Sequence, residues 1–386
     1  MDSEPAAEQL LGRILPLPFR VAILLVLGVW LWASNLNVLQ HRFGIDVPGL
    51  IKYPSSSSSG SDKSTYRLAT ILSIPLVATL LLFFIFPTAW LPFTYLLFIA
   101  IAFAVPTEHL SSRGRFRFLT TLQRVSIGGL ATDAEGRFGD ILVADVLTSY
   151  AKPLADLYVV LCLLFNGKGV LGHPDRSCGG RLVVPFILAV PFLIRLRQCL
   201  IEAIRARAQG KTGYQHLANA LKYASAFPGI IISTMKRESH PSRMWVAEAG
   251  LSQIWVIAIM TNSFYSFYWD VAKDWDLTLF SSARERNAPG QPWALRRQRI
   301  FQPEYIYYAA IAIDLVLRCT WSLKLSIHLY HFGEFEGGIF IIEILEILRR
   351  WMWVFLRVET EWLRQRSAVA MDMLPLVDQH NKLGDD

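Results

Sequence analysis

Apolar stretches of roughly 20 residues recur along most of this chain, and they restrict what it can fold into. Such a stretch, when helical, matches the hydrocarbon core of a bilayer. Of the 386 residues, 53% are hydrophobic and only 18% are charged, against about 25% charged in a soluble domain. The alternating polar faces of a soluble chain are missing. We therefore predict an all-α fold, a polytopic transmembrane helical bundle of about 8–10 membrane helices.

The apolar stretches define nine expected membrane spans. Their ranges are 19–34, 68–86, 90–106, 140–165, 182–200, 214–235, 244–269, 303–328 and 338–358. We expect a non-cytosolic amino terminus (1–18), a first group of membrane helices (19–137) with a Ser-rich loop (53–66), a membrane domain (138–366) and a cytosolic tail (367–386). Within the first group, the connection 107–137 mixes Arg with Phe and Leu, which is typical of an amphipathic interfacial helix or of a basic loop.

Basic residues in the connections indicate how the chain is oriented. With the carboxyl terminus in the cytosol and residues 195–211 counted as a cytosolic connection, 23 of the 38 Lys and Arg residues fall on the cytosolic side and 7 on the opposite side. The positive-inside rule predicts this asymmetry. It also accounts for the net charge of +7 without a nucleic acid partner. We expect a multi-pass protein surrounded by membrane lipids, with its carboxyl terminus in the cytosol.

The cations inside the apolar stretches include Lys222, Arg318, Arg349 and Arg350. A charge at the centre of a bilayer helix costs about 2.5–3.5 kcal/mol on insertion scales. Such side chains therefore face protein or a water-filled cavity, and by default they mark a functional site. Cations spread over several helices suit an anion, and the planar fork of arginine suits the oxygens of phosphate or carboxylate.

Helical spacing groups these cations with other polar residues, because residues three or four positions apart share a face. Asp314 and Arg318 could form a structural pair on one helix. The two adjacent arginines point about 100° apart, so Glu346 cannot neutralise both, and Lys222 has no acid within four residues on its own helix. A partner from another helix or a mobile anion must balance them. The polar stripes contain His216, Asn219, Lys222, Tyr223, Asp145, Thr148, Ser149, Asp270, Asp314, Arg318, Trp321, Glu343, Glu346, Arg349 and Arg350.

Other motifs carry less information. The four cysteines show no paired spacing, which predicts neither a disulfide framework nor a zinc site. His328 and His331 have the spacing of a metal pair, but no third ligand is near them in the sequence. No nucleophile elbow, Walker or Rossmann pattern is present. We expect no cofactor, no metal and no enzymatic activity.

Six polar segments occur in a fixed order between residues 138 and 366. They are LVADVLTSY (142–150), RLRQCL (195–200), HLANALKY (216–223), YWDVAKDW (268–275), IDLVLRCTWSL (313–323) and LEILRRWMWVFLRVETE (345–361). In this order they resemble the EXS family, the membrane domain shared by eukaryotic phosphate exporters and the fungal ER-retention-defective proteins. The resemblance implies a pathway for inorganic phosphate through the helical bundle.

The resemblance also assigns candidate residues to that pathway. Family exporters tend to have Asn where this chain has Thr148, and Gln where it has Val146, and either change could alter selectivity or rate. By position, the pathway residues of the family fall on Asp145, Lys222, Tyr223, Asp270, Arg318, Trp321, Glu346, Arg349 and Arg350. With Thr148 they form our candidate phosphate-binding set.

The leading hypothesis is a Golgi membrane protein that returns lumenal phosphate, released during glycosylation, to the cytosol. The exporters carry a cytosolic SPX domain, whereas about 18 residues precede the first expected span here, so regulation by such a domain is expected to be absent. The short form resembles the fungal group, which is associated with retention of ER residents and with glycosylation. Expected partners are inorganic phosphate, membrane lipids, a second copy in a homodimer and cytosolic trafficking factors.

Two other functions stay open at this point. A membrane adaptor could recycle glycosyltransferases or ER residents through its basic loops or its tail, without transporting anything. A protein that handles lipids, such as a scramblase, would need a hydrophobic lateral groove in place of a closed cationic cavity.

Overall fold

The computed structural model describes residues 12, 14–52, 61–105, 112–165, 178–238, 245–320 and 336–383. These residues form helices and connections, without strands in the described ranges. In chain order the longer helices are α1 (Leu17–Asn37), α2 (Ser61–Ile85), α3 (Trp90–Ala104), α4 (Ser112–Gln123), α5 (Arg137–Ser149), α6 (Ala151–Phe165), α7 (Val183–Ala208), α8 (Tyr214–Ala224), α9 (Ala226–Glu238), α10 (Trp245–Trp269), α11 (Tyr305–Arg318) and α12 (Glu336–Leu383).

Several of these helices are long and apolar enough to cross a membrane. Three pass on length and composition alone: Leu17–Arg42, Asp62–Ile85 and Val183–Ala208. The pair α5 and α6 passes as one broken span, and α3 is a shorter apolar helix. The fold is therefore an all-α helical membrane protein, as the sequence predicts. In the connection 107–137, for which the sequence allowed an amphipathic helix or a basic loop, residues 112–123 form the helix α4.

Two expected spans are broken in the middle. The stretch 140–165 bends by 64° between Ser149 and Ala151, and the stretch 214–235 is interrupted at Ser225. In each case a proline, Pro153 or Pro228, lies three residues after the break. Proline has no backbone N–H and its ring clashes with the carbonyl four residues earlier, which ends or kinks a helix. The spans predicted at 140–165 and 214–235 are thus each two helices joined at a break, which the apolar lengths alone do not indicate.

A hydrophobic cluster holds α12 against the middle of the bundle. Helix α12 contacts α1, α5 and α11. The cluster is centred on large side chains that solvent does not reach, Trp275, Trp353 and Tyr307. Complete burial of an aromatic side chain removes roughly 150–250 Å² from solvent. This packing fixes the polar face of α12 relative to α5 and α11.

Cys162 and Cys178 are joined by a disulfide, with their Cα atoms 6.3 Å apart. The bond links the end of α6 to the start of the segment that leads into α7. The sequence prediction of no disulfide was wrong, because a separation of 16 residues has no motif that marks it, and only the return of the chain brings the two sulfurs together. Cys199 is a buried thiol.

Candidate functional site

The predicted polar stripes meet in one buried network between α5, α8, α11, α12 and the end of α10. Nine of the ten candidate residues lie in or beside this network: Asp145, Thr148, Lys222, Tyr223, Asp270, Arg318, Glu346, Arg349 and Arg350. The tenth, Trp321, lies outside the described residues, as do His328 and His331. The structure thus brings together residues that are more than 200 positions apart in the chain.

Asp270 is the centre of the cationic half of the network and is completely buried. The apolar helix α10 ends there and continues as a π-helical turn, Asp270–Asp274. Its carboxylate accepts a hydrogen bond from Lys222 Nζ at 2.9 Å and another from the Arg318 guanidinium. Lys222 also lies 3.4 Å from the carboxylate of Asp274. Lys222 has no acid nearby on its own helix, and two carboxylates from the end of α10 pair with it instead.

Arg349 is held by carboxylates from two helices. Glu346, one turn earlier on α12, accepts from its Nε at 2.8 Å and its Nη2 at 2.6 Å. Asp314 on α11 accepts from its Nη1 at 2.9 Å. Asp314 also accepts from Arg318 at 3.2 Å, which is the pair on one helix that the sequence suggested. Bidentate pairing of this kind fixes the geometry as well as the charge.

Asp145 is the acid of the other half of the network. The Tyr223 hydroxyl donates to it at 2.5 Å, and Arg195 Nε donates at 2.8 Å. Arg195 is 2% exposed and donates as well to Gln198 at 2.6 Å. Its guanidinium lies 4.8 Å from the ring centroid of Tyr223. The helix α7 therefore contributes a cation that the sequence analysis did not select.

Two network residues were missed from the sequence. Arg195 was counted among the basic residues of a cytosolic connection, although its position in the RLRQCL segment was a usable signal. Asp274 follows Asp270 by four positions, so on a helical turn both carboxylates can face one lysine. Arg195 lies at the end of an expected span, where a buried cation and a topology signal have the same sequence pattern, and Asp274 lies just beyond the expected span 244–269.

Arg350 differs from the other cations of the network. It is 7% exposed, yet within the described part of the chain no carboxylate forms an ion pair with it. Its Nε donates to the Ser149 hydroxyl at 3.0 Å, and its Nη2 donates to the Thr148 hydroxyl at 3.2 Å. Its Nη1 has no hydrogen-bond partner there. The guanidinium lies 4.6 Å from the centroid of the Trp353 ring.

Charges in the network are evenly matched among the described residues. Its cations are Lys222, Arg195, Arg318, Arg349 and Arg350. Its carboxylates are Asp145, Asp270, Asp274, Asp314 and Glu346. The described residues contain no group of three metal-ligating side chains. Such a network can take up an anion by exchanging carboxylate contacts for anion contacts.

The chain was compared with known proteins. A family model described as the EXS family matches residues 15–363. The chain is 30% identical over 407 residues to Protein ERD1 homolog 2 of Schizosaccharomyces pombe, an alignment that covers 93% of this chain and 99% of that protein. It is also 30% identical over 359 residues to Protein ERD1 homolog 1 of the same yeast, covering 90% of each.

A longer relative shares part of its length. Solute carrier family 53 member 1 of Homo sapiens is 29% identical over 331 residues, which cover 79% of this chain but 44% of that protein. The family match includes the network, from α5 to the middle of α12.

Proposed function

This chain belongs to the EXS family, and from that premise we propose that it carries inorganic phosphate across the Golgi membrane, from lumen to cytosol. In this proposal the chain supports glycosylation and the retention of ER and Golgi residents by returning phosphate released in the lumen. No bond is made or broken, so the protein acts as a transporter and not as an enzyme. A relative named as a solute carrier supports a transport role.

The observation that carries the proposal is the buried guanidinium of Arg350. A charge removed from water needs a counter-charge or a full set of hydrogen bonds. Arg350 has two hydroxyl acceptors, and its Nη1 has no hydrogen-bond partner among the described residues. The planar fork of arginine matches two oxygens of a phosphate. Phosphate is thus a suitable counter-ion at this position.

Arg318, Arg349 and Lys222 have a different role in the proposal. Each already holds carboxylates, so a phosphate that contacts them must compete with Asp270 or Glu346. Competition keeps the affinity low enough for release, which conduction requires. The Thr148 hydroxyl accepts from Arg350 at 3.2 Å, so this departure from the usual family residue lies within reach of the proposed anion.

The disulfide supports the proposed orientation. Disulfides persist in oxidising compartments and are rare in the cytosol. Cys178 lies in the connection 166–181, which the basic residues assign to the non-cytosolic side. Two independent features, charge and redox chemistry, therefore favour the same face for the lumen, with the carboxyl terminus in the cytosol.

The test is the flux of radiolabelled phosphate through the purified full chain in proteoliposomes. Arg350→Ala removes charge-assisted hydrogen bonds to the anion, each worth about 1.5–3 kcal/mol, and should weaken apparent phosphate affinity at least about tenfold. Because Arg350 holds no carboxylate in the described structure, its removal leaves no buried acid unpaired and the variant should fold.

Arg364→Ala is the matched control. Arg364 lies on the same helix, its side chain is 48% exposed, and it is 3.6 Å from Asp276 at the surface. Phosphate flux through Arg364→Ala should equal that of the wild type. Wild-type flux in Arg350→Ala would overturn the proposed site, and a wild-type protein without phosphate flux would overturn the function and favour the adaptor alternative.

A further inference from the structure

Glu346 differs from the other carboxylates of the buried network in its exposure. Its side chain is 35% exposed, whereas the side chains of Asp145, Asp270 and Asp314 are 4% exposed or less. Glu346 lies within an apolar part of α12 that is expected to cross the membrane. A charged group in such a position faces protein or a water-filled cavity. The open side of this carboxylate is therefore accessible to water and to an arriving anion.

Three hydrogen bonds fix the direction of the Glu346 carboxylate. Its Oε1 accepts from Arg349 Nη2 at 2.6 Å and from the Ser149 hydroxyl at 2.7 Å. Its Oε2 accepts from Arg349 Nε at 2.8 Å. An ionised carboxylate has about four accepting positions, two on each oxygen. One position on Oε2 is thus left without a donor from the described residues.

Glu346 and Arg350 form an acceptor–donor pair on one face of α12. They are four positions apart, which places one above the other on the helix surface. Both also contact the hydroxyl of Ser149, which donates to Glu346 at 2.7 Å and accepts from Arg350 Nε at 3.0 Å. Arg350 Nη1 has no hydrogen-bond partner within the described ranges. One open acceptor and one open donor therefore lie around a single hydroxyl at the proposed phosphate site.

A carboxylate beside an anion site discriminates between anions by their protons. It repels every anion, and the repulsion is offset when the anion donates an O–H group to it in a charge-assisted hydrogen bond. Hydrogen phosphate has such an O–H group at neutral pH as well as unprotonated oxygens. Sulfate has the same tetrahedral shape but carries no proton at neutral pH. A guanidinium alone would bind both.

We propose that Glu346 determines the substrate class of the site. It accepts a hydrogen bond from the O–H group of the anion while Arg350 donates to an unprotonated oxygen. The site then takes tetrahedral oxyanions that keep a proton at neutral pH, such as phosphate and arsenate, and rejects sulfate. The inference rests on the proposed function and adds to it the basis of anion selectivity.

The first test measures competition against the flux of radiolabelled phosphate through the full chain in proteoliposomes. Unlabelled arsenate, which keeps an O–H group, should inhibit this flux at concentrations close to those of unlabelled phosphate. Sulfate should require at least about a 100-fold higher concentration, because it lacks the charge-assisted hydrogen bond and is repelled by the carboxylate. Fluorophosphate, in which fluorine replaces the O–H group, should compete as weakly as sulfate.

Glu346→Gln removes the repulsion and adds an N–H donor, so sulfate should bind more tightly to this variant. The ratio between the inhibitory concentrations of sulfate and arsenate should fall at least about tenfold. Arg349 keeps Asp314 as a partner at 2.9 Å, which favours folding of the variant. Glu361→Gln is the matched control, because Glu361 is also held by an arginine of α12, Arg357 at 3.3 Å. This control should keep the wild-type ratio.

Sulfate or fluorophosphate that competes as strongly as arsenate in the wild type would overturn the inference and leave phosphate transport standing. A wild-type ratio in Glu346→Gln would overturn it as well. Absence of phosphate flux in the wild type would instead contradict the proposed function, and a binding measurement then tests the inference alone.

That binding measurement is thermal unfolding of the purified full chain in detergent, with each anion at the same concentration and at constant ionic strength. A ligand that binds the folded state raises Tm, so phosphate and arsenate should raise it more than sulfate and fluorophosphate do. The same series with Arg350→Ala subtracts the general effect of these salts on stability. In Glu346→Gln, sulfate should stabilise as much as arsenate. Equal effects of all four anions on the wild type after the subtraction, including no effect at all, would refute selection by Glu346.

Discussion

Replacement of Arg195 by methionine gives the most direct test of the buried network. Arg195 is 2% exposed and donates to Asp145 at 2.8 Å and to Gln198 at 2.6 Å. Methionine keeps much of the volume of the side chain but has neither charge nor donor. In Arg195→Met, Asp145 therefore stays buried with the Tyr223 hydroxyl as its remaining donor in the described network, at 2.5 Å.

The expected magnitude follows from these contacts. Removing one partner of a buried ion pair costs about 3–5 kcal/mol, because the other charge is left without compensation. The tyrosine hydroxyl still solvates Asp145, so we expect the lower end, about 3 kcal/mol. A loss of this size corresponds to a fall in Tm of roughly 6–12 °C by the scaling for soluble domains.

The assay is thermal unfolding of the purified protein in detergent, with size-exclusion chromatography measuring how much folded protein remains after each heating step. The double variant Asp145→Asn with Arg195→Met removes both charges, and it should recover most of the lost stability. Asp145→Asn alone should be destabilised, because Arg195 then lacks its carboxylate. Equal Tm values for Arg195→Met and the wild type, or additive losses in the double variant, would refute the assignment of Arg195 and Asp145 as one electrostatic unit.

Two other outcomes follow from the structure. Thr148→Asn should keep the fold, because the amide oxygen can still accept a hydrogen bond from Arg350. The amide also adds a donor near the anion, so phosphate flux, or the apparent affinity for phosphate, should change by up to about tenfold. Kinetics in proteoliposomes identical to those of the wild type would place Thr148 outside the pathway. Cys162→Ser should leave Cys178 as a free thiol on the lumenal side. In sealed vesicles whose outer face is the cytosolic face, a membrane-impermeant maleimide should label this thiol only after the vesicles are opened. Labelling of Cys178 in intact vesicles would reverse the proposed orientation.

Helical periodicity was informative about each helix taken alone. It selected the pair Asp314 and Arg318, which the structure confirms at 3.2 Å, and it placed Glu346 and Arg349 on one face, where they are bonded at 2.8 Å. The apolar lengths were sufficient to predict an all-α membrane protein. Pro153 and Pro228 were visible in the sequence, but the total apolar length outweighed them and the breaks were missed.

The role of a charge at the end of a span was harder to predict. Arg195 has the same sequence context as the basic residues that follow it, because both lie at the end of an apolar stretch. Burial distinguishes them: Arg195 is 2% exposed and points at Asp145, 50 positions earlier. The sequence contains the residue, but only the position of α7 against α5 determines what it contacts.

From the apolar stretches and the cations within them, this chain is recognisable as a helical membrane protein whose buried cations require partners, because residue type and depth in an apolar stretch largely set the cost of a charge in lipid. Which cation has which partner depends on how the helices pack. Lys222 and Asp270 are 48 positions apart and meet at 2.9 Å, while Arg350 meets two hydroxyls and no carboxylate of the described residues. Partners across helices depend on where the helices cross, and a periodicity of three or four residues describes only neighbours on the same helix.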